Sequence, residues 1–322
     1  MPGAEEKQLK RRVKSVQNTK QVTKAMEMIA SARLPKAQDR VAAARPYSEQ
    51  ITEVIRSLAE AGADLEHPLL DQKDEDQIDK VVYVVITADR GLAGPYNNNV
   101  LRAATRTLEE DQKKGRDYSL ILVGKKGLTF YRFRGYDVDA SFTGMSEKPT
   151  YEDARQVATA VSEPFEEGDV DLVRLVYTQF LSAGNQQVVV RQFLPLDTEA
   201  LAGGDDDEGT EAAYEFEPAP TEILERLLPR YVEARLYAAM LEASASELAA
   251  RQRAMKAASD NAEELIDNLN RELNAARQAT ITTEIMEVVG GAEALRGDKK
   301  KKDYFPDDLV TADYLPDEYT RS

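Results

Sequence analysis

The sequence contains no cysteine and a single histidine, His67. The first absence removes disulfides, thiolate nucleophiles and the common zinc clusters, and one imidazole leaves little of the usual acid/base repertoire. No run of about 18 uncharged apolar residues occurs, so no membrane-spanning helix is expected. The opening Met1-Pro2-Gly3-Ala4-Glu5-Glu6 lacks the apolar core of a signal peptide, which predicts a cytoplasmic protein. A formal net charge of −16 argues against nucleic acid as a partner of the whole chain, because phosphate contact needs a positive face.

The charge is unevenly placed. Between Lys7 and Arg40 there are ten Lys or Arg against two acids, Glu27 and Asp39, whereas Leu201 to Glu225 holds nine acids and no base. The basic run reads either as a solvated helix face or as a helix aimed at an acidic partner.

Each end of the chain carries a heptad period. Of fifteen positions spaced alternately four and three apart from 9 to 58, eleven are apolar, among them Leu9, Val13, Leu34, Val41, Ile51, Ile55 and Leu58. Lys20, Thr23 and Glu27 interrupt the series where an apolar stripe shifts back by one, to Val22, Met26 and Ile29, and such a shift is expected to rotate the seam. Pro35 and Pro46 are expected to kink or break the helix. From Leu227 the same series runs through Leu241, Leu248, Met255, Ser259, Ile266 and Leu269 to Ala276, then slips to Ile281, Ile285 and Val288. Pro229 suits the first turn of this helix and Gly290-Gly291 its stop. Two such stripes need partners, and each is the simplest partner for the other. The intervening chain returns to its start, so the pair would be antiparallel. A homodimeric coiled-coil scaffold remains the alternative.

The middle has a different period. Lys80 to Thr87 is a nearly continuous β-branched run, as in a strand buried on both faces. Helices are expected over 97–114, 125–134 and 151–166, the last interrupted by Pro164. Strands are expected over 118–124, 138–142, 171–181 and 187–196, with Ser182 to Gln186 as a hairpin turn. The fold class that follows is α/β, a long antiparallel coiled coil of N- and C-terminal helices plus a Rossmann-like central domain. The divisions are 1–62 and 221–295 for the coil, 78–200 for the central domain, 201–220 for an acidic linker and 296–322 for a polar tail.

A Rossmann-like sheet invites a nucleotide, which would make the chain an enzyme. The turn Thr87-Ala88-Asp89-Arg90-Gly91-Leu92-Ala93-Gly94-Pro95 stands where such folds bind ligands, but it has neither GxGxxG nor a P-loop, and Pro95 removes a backbone N–H. Asp89 and Arg90 read instead as a cap and an ion pair that hold the turn to the following helix. Glu284 and Glu287 share a helical face and could ligate a metal, but with no histidine near them they read as hydrogen-bond or ion-pair partners. His67, in the connector before the acidic run 71–79, is a weak metal candidate.

Three blocks carry a resemblance. The stretch Leu9 to Ala30 (LKRRVKSVQNTKQVTKAMEMIA), the stretch Ala276 to Ala292 (ARQATITTEIMEVVGGA) and Thr87 to Gly94 (TADRGLAG) resemble, in order, the opening helix, C-terminal signature and middle motif of the gamma subunits of F-type ATP synthases. The resemblance implies a non-catalytic rotor shaft without a cofactor, turning inside a ring of three alpha and three beta subunits. It implies a central domain near the epsilon subunit and the membrane rotor ring of c subunits, at the cytoplasmic face of the bacterial plasma membrane. By residue, it implies contacts with the alpha and beta subunits at Lys24, Met26, Met28, Arg251, Gln278, Thr282, Glu284 and Glu287, with Met28 equally readable as seam packing. Leu201 to Glu211 is longer and more acidic than the family leads one to expect, and the 27 residues after Leu295 extend past the usual end. That tail could act as a brake on ATP-hydrolysing rotation.

Overall fold

The computed structural model describes residues 2–60, 67–196, 217 and 219–302. The expected acidic segment 201–211 and the tail beyond 302 lie outside them. The chain divides into two compact units, one of Gln21–Ser259 and one of Met1–Lys20 with Asp260–Ser322.

The larger unit holds a five-stranded sheet in the order β3-β2-β1-β4-β5. Its strands are β1 (Lys80–Ile86), β2 (Asp117–Val123), β3 (Ala140–Phe142), β4 (Leu172–Phe180) and β5 (Gln186–Leu194). β1 runs parallel to β2 and β4, β3 is parallel to β2, and the hairpin β4–β5 adds one antiparallel edge. The apolar run of β1 is buried on both sides because both sides carry helices. Val81, Tyr83 and Val85 face Val100, Leu101, Ala104 and Leu108 of α2 (Tyr96–Lys113) and Tyr131 of α3 (Lys125–Phe133). Val82, Val84 and Ile86 join Val157 and Val161 of α4 (Tyr151–Glu166), with apolar side chains from the two long helices. A Thr150–Asp153 capping box starts α4, and Pro164 lies inside that helix without interrupting it.

The long helices are α1 (Pro2–Glu60) and α5 (Pro220–Lys302). Within the larger unit Thr23 meets Ser259, Ser31 meets Gln252, and Arg40 meets Tyr237, so the helices run antiparallel. The four-three series is the seam. Among the residues of α1 whose burial is described, every buried apolar one lies on it: Leu9, Val13, Ala30, Leu34, Val41, Ile51, Ile55 and Leu58. The smaller unit repeats the arrangement with Leu9, Val13 and Val16 against Ile266, Leu269, Leu273 and Ala276, and with a Lys20–Glu263 ion pair of 2.9 Å.

Four local expectations are corrected. Of the kink or break expected at Pro35 and Pro46, the break does not occur, and α1 continues through both. Each proline costs about 3 kcal/mol, but Leu34 and Val41 pack with Leu241, Ala245 and Leu248 and hold the helix on either side of Pro35. Pro220, not Pro229, stands at the start of α5, and buried Leu228 and Val232 flank Pro229 in mid-helix. Gly290 and Gly291 do not stop α5, since glycine inside a helix costs only about 1 kcal/mol. The seam does not move onto the shifted stripe either. It keeps to the four-three series through the Thr23–Ser259 pair, and Val22 and Ile29 are exposed.

Candidate functional site

Strand order reverses between β1 and β4, which is where a doubly wound sheet would take a nucleotide at the carboxyl ends of its strands. Here the chain fills that place with its own helix. Tyr96 Oη donates to Ala243 O of α5 at 3.1 Å, and Ala88, Ala93 and Tyr96 pack on Ala250. Small residues on this part of α5 allow the close approach. Among Thr87, Tyr96, Ser146, Ala243 and Glu247 a cavity of only about 10 Å³ remains, room for no more than one water, while on the other side of Tyr96 a more open cavity of about 370 Å³ lies among Gly94, Asn99, Thr178, Ser246 and Arg253.

The turn after β1 works as a structural hub. Gly124, the N-cap of α3, has no side chain to offer. The first N–H groups of α3 are therefore capped from a distance, Lys125 N by Asp89 Oδ1 (3.0 Å), Lys126 N by Ala88 O (3.0 Å) and Gly127 N by Thr87 Oγ1 (2.9 Å). Asp89 is thus a cap, as its sequence suggested, but of α3 rather than of the helix that follows it. Burial would raise its carboxyl, but N–H groups of Gly144, Ser146 and Lys125 and the Ser146 hydroxyl hold it below the ordinary aspartate range. Arg90 pairs with Glu147 at 3.0 Å. Leu92 adopts φ +66°, a strained value for a branched residue, in the same turn.

Arg251 belongs to this hub and not to an outer surface. Its Nη1 donates to Gly91 O at 2.9 Å and its Nη2 pairs with Glu247, all largely buried. Desolvation raises the Glu247 carboxyl, opposed by the adjacent guanidinium. The i, i+4 spacing of Glu247 and Arg251 is a sequence signal that could have placed this pair inside.

The remaining residues that the resemblance suggested as contacts are exposed or half-buried, in two separate sets. In the larger unit Lys24 is exposed and pairs with Glu27 at 3.0 Å, Met26 is half-buried, and Met28 is 64% exposed, which excludes seam packing for Met28. Val22 and Ile29 are exposed in the same stretch. In the smaller unit Gln278, Thr282, Glu284 and Glu287 are all exposed, and Thr282 Oγ1 bonds back to Gln278 O. Ile281, Ile285, Met286, Val288 and Val289 accompany them, each at least 45% exposed. His67 caps a short 3-10 turn by accepting from Leu69 N, and burial lowers its pKa. Among the described residues no group of three or more His, Asp or Glu could hold a metal, and no helix is long and apolar enough to cross a membrane.

The sequence pattern of the ATP synthase family matches residues 5–295. The ATP synthase gamma chain of a Parafrankia species is 49% identical over 297 residues, covering 90% of this chain and 97% of that one. This chain belongs to the ATP synthase gamma-chain family. The gamma chain of Heliobacterium modesticaldum is 45% identical and matched over its whole length, with 92% of this chain covered. A chain in the cryo-EM structure of the Euglena gracilis mitochondrial ATP synthase, OSCP/F1/c-ring, rotational state 3, has the same fold, with a TM-score of 0.65 at 20% identity over 92% of this chain and 97% of that one. The α/β class expected from the sequence is the fold of the family.

Proposed function

We propose that this chain is the central rotor shaft of an F-type ATP synthase and is itself non-catalytic. It couples proton-driven rotation of a membrane ring of c subunits to ATP synthesis in three alpha and three beta subunits. The observation that carries this reading is apolar surface left over after the seam is complete. Val22, Met28 and Ile29 on α1, and Ile281, Ile285, Met286, Val288 and Val289 on α5, are exposed although the four-three series has already buried its own residues. Apolar side chains clustered in this way call for a second protein surface.

Lys24, Met26, Met28, Gln278, Thr282, Glu284 and Glu287 stand on or beside these stretches and are the residues we assign to contact with alpha and beta subunits. Arg251 is instead bonded to Gly91 O and Glu247. The basic excess between Lys7 and Arg40 would face acidic groups of the beta subunits through exposed ion pairs, each worth about 1 kcal/mol or less, weak enough to break and reform as the shaft turns. At each angle the shaft would bind one beta conformation best and so shift its population. The segments 1–62 and 221–295 would form the shaft and 78–200 the domain that meets the epsilon subunit and the ring. The complex would then hold the chain peripherally at the cytoplasmic face of the bacterial plasma membrane.

Because the chain has no cysteine, one introduced as Glu284→Cys can be oxidised onto a cysteine in a beta subunit of the assembled complex. Multi-turnover ATP hydrolysis should stop on oxidation and return on reduction. Hydrolysis at the uncrosslinked rate in the fully crosslinked complex would exclude the shaft role, as would failure of the chain to purify with alpha and beta subunits.

A further inference from the structure

A shaft must be held against rotation relative to the domain that drives it, and apolar packing resists sliding poorly because it is non-directional. Within Gln21–Ser259, Tyr96, Tyr151, Thr178, Ala183 and Gln186 make directional contacts with α5, but two loops, the β1–α2 turn (88–95) and the β3–α4 loop (143–150), between them make such contacts with both long helices. Toward α5, Gly91 O accepts from Arg251 at 2.9 Å and Glu147 O accepts from Ser244 Oγ at 2.9 Å. Toward α1, Glu147 Oε2 accepts from Arg33 Nη1 at 3.1 Å, and Pro149 O accepts from Arg40. The two loops together therefore grip both long helices. What fastens one loop to the other is Asp89. Its Oδ2 accepts from Ser146 N (3.1 Å) and Ser146 Oγ (2.8 Å), its own N–H donates to Ser146 Oγ (2.9 Å), and its Oδ1 fixes the start of α3. Among the described residues the loops are also joined by the Arg90–Glu147 pair, whose arginine is 71% exposed and which is correspondingly weak.

We propose that Asp89 is a positioning residue for energy coupling: by locking the 88–95 turn to the 143–150 loop it makes the clamp on α1 and α5 rigid enough to pass torque. The inference rests on the rotor reading. It adds that a group outside the exposed apolar stretches sets how much rotation is delivered per ATP. Replacing the carboxylate by an amide keeps size and shape but leaves one acceptor oxygen for donors on two sides, Ser146 and Lys125 N, so the junction of the two loops with α3 loosens while the sheet and the seam stay intact.

The test uses the complete complex in inverted membrane vesicles, with ATP hydrolysis and ATP-driven acidification measured on the same preparation. For Asp89→Asn, hydrolysis should stay within about twofold of the parent while acidification per ATP falls about threefold or more, because charge-assisted bonds are lost only at the clamp. Ser146→Ala, which loses the hydroxyl and keeps the backbone N–H, should show a smaller loss of the same ratio. A purely structural role would lower both activities together, through less assembled complex, and leave the ratio unchanged; that result overturns the proposal. If Asp89→Asn does not assemble, the ratio measured with Ser146→Ala decides. If instead unmodified vesicles couple equally well without this chain, the rotor reading itself has failed.

Discussion

Thr23 Oγ1 and Ser259 Oγ lie 2.8 Å apart, a hydroxyl pair set into a mostly apolar seam. Ser259 Oγ also reaches Met255 O at 3.0 Å, so the pair ties α1 to a backbone carbonyl of α5. Thr23→Val removes the hydroxyl across from Ser259, which keeps only its bond to Met255 O, and should cost about 1 kcal/mol, whereas Thr23→Val with Ser259→Ala removes both partners and should cost less than the sum. Urea unfolding of the four proteins of this cycle checks it. Strict additivity would mean that the pair contributes nothing.

Asp111 supports a second prediction. It receives Arg116 Nη1 at 2.9 Å, Arg174 Nε at 3.0 Å and the Tyr83 hydroxyl, joining α2 to β1 and β4. Burial alone would raise its carboxyl, but the phenol and the two guanidiniums pull it below the ordinary aspartate range. A carboxyl with a depressed folded pKa contributes stability that is present above its unfolded value and lost as pH falls through the folded one. Stability should therefore drop on acidification below about pH 4. Asp111→Asn should flatten that drop and cost about 3 kcal/mol or more at neutral pH by leaving Arg116 buried without its counter-charge. Chemical unfolding at a series of pH values separates the two effects.

These two sites show what a linear reading can reach. Thr23 and Ser259 stood out as polar members of an apolar series, since period is a local property and survives without knowledge of the fold. The strands were legible for the same reason: the β-branched run at Lys80 and the hairpin turn at Ser182 are written in neighbouring residues. The capping of α3 by Asp89 was not legible, because Lys125 lies 36 positions away and nothing local marks it as the partner. Arg251 was read as a contact residue through family resemblance, whereas its guanidinium closes on Gly91 O, 160 positions earlier. The shifted stripe at Val22 and Ile29 was seen and assigned to the seam; a one-dimensional period cannot tell a rotated seam from a second face reserved for another protein.

A third prediction concerns Glu242, whose Oε2 is buried without a hydrogen-bond partner beside Tyr177. Desolvation raises its pKa above the ordinary glutamate range, and the backbone of Phe180, the Tyr177 hydroxyl and Arg191 only partly oppose this. A raised folded pKa gives stability that is fully present below the unfolded value and is lost as pH rises through the folded one. The parent should therefore lose stability as pH climbs from the ordinary glutamate value of about 4.3 toward neutrality. Glu242→Gln should be free of that slope and at neutral pH match or exceed the parent by up to about 1 kcal/mol. An unchanged slope in the variant would show that the carboxylate is well solvated.

Gly124 gives the strictest prediction, because two independent constraints meet at one Cα. Its φ of +99° lies where a side chain is strained, and a Cβ built there would be driven into the carbonyl and side chain of Thr87. Neither can move cheaply. Thr87 N donates to Val123 O at 2.8 Å, and its hydroxyl accepts from Gly127 N while donating to Val123 O at 3.1 Å, so Thr87 is pinned by the strands and helix that Gly124 joins. Gly124→Ala should cost several kcal/mol, strain and overpacking together, enough to leave the central domain unfolded at 37 °C. Gly135→Ala is the matched control. It has φ +77° but open space around the added methyl, so it should pay only for the left-handed conformation, about 1–2 kcal/mol. Thermal unfolding of the two variants side by side measures the difference, and equal losses would show that the close approach to Thr87 carries no energetic weight.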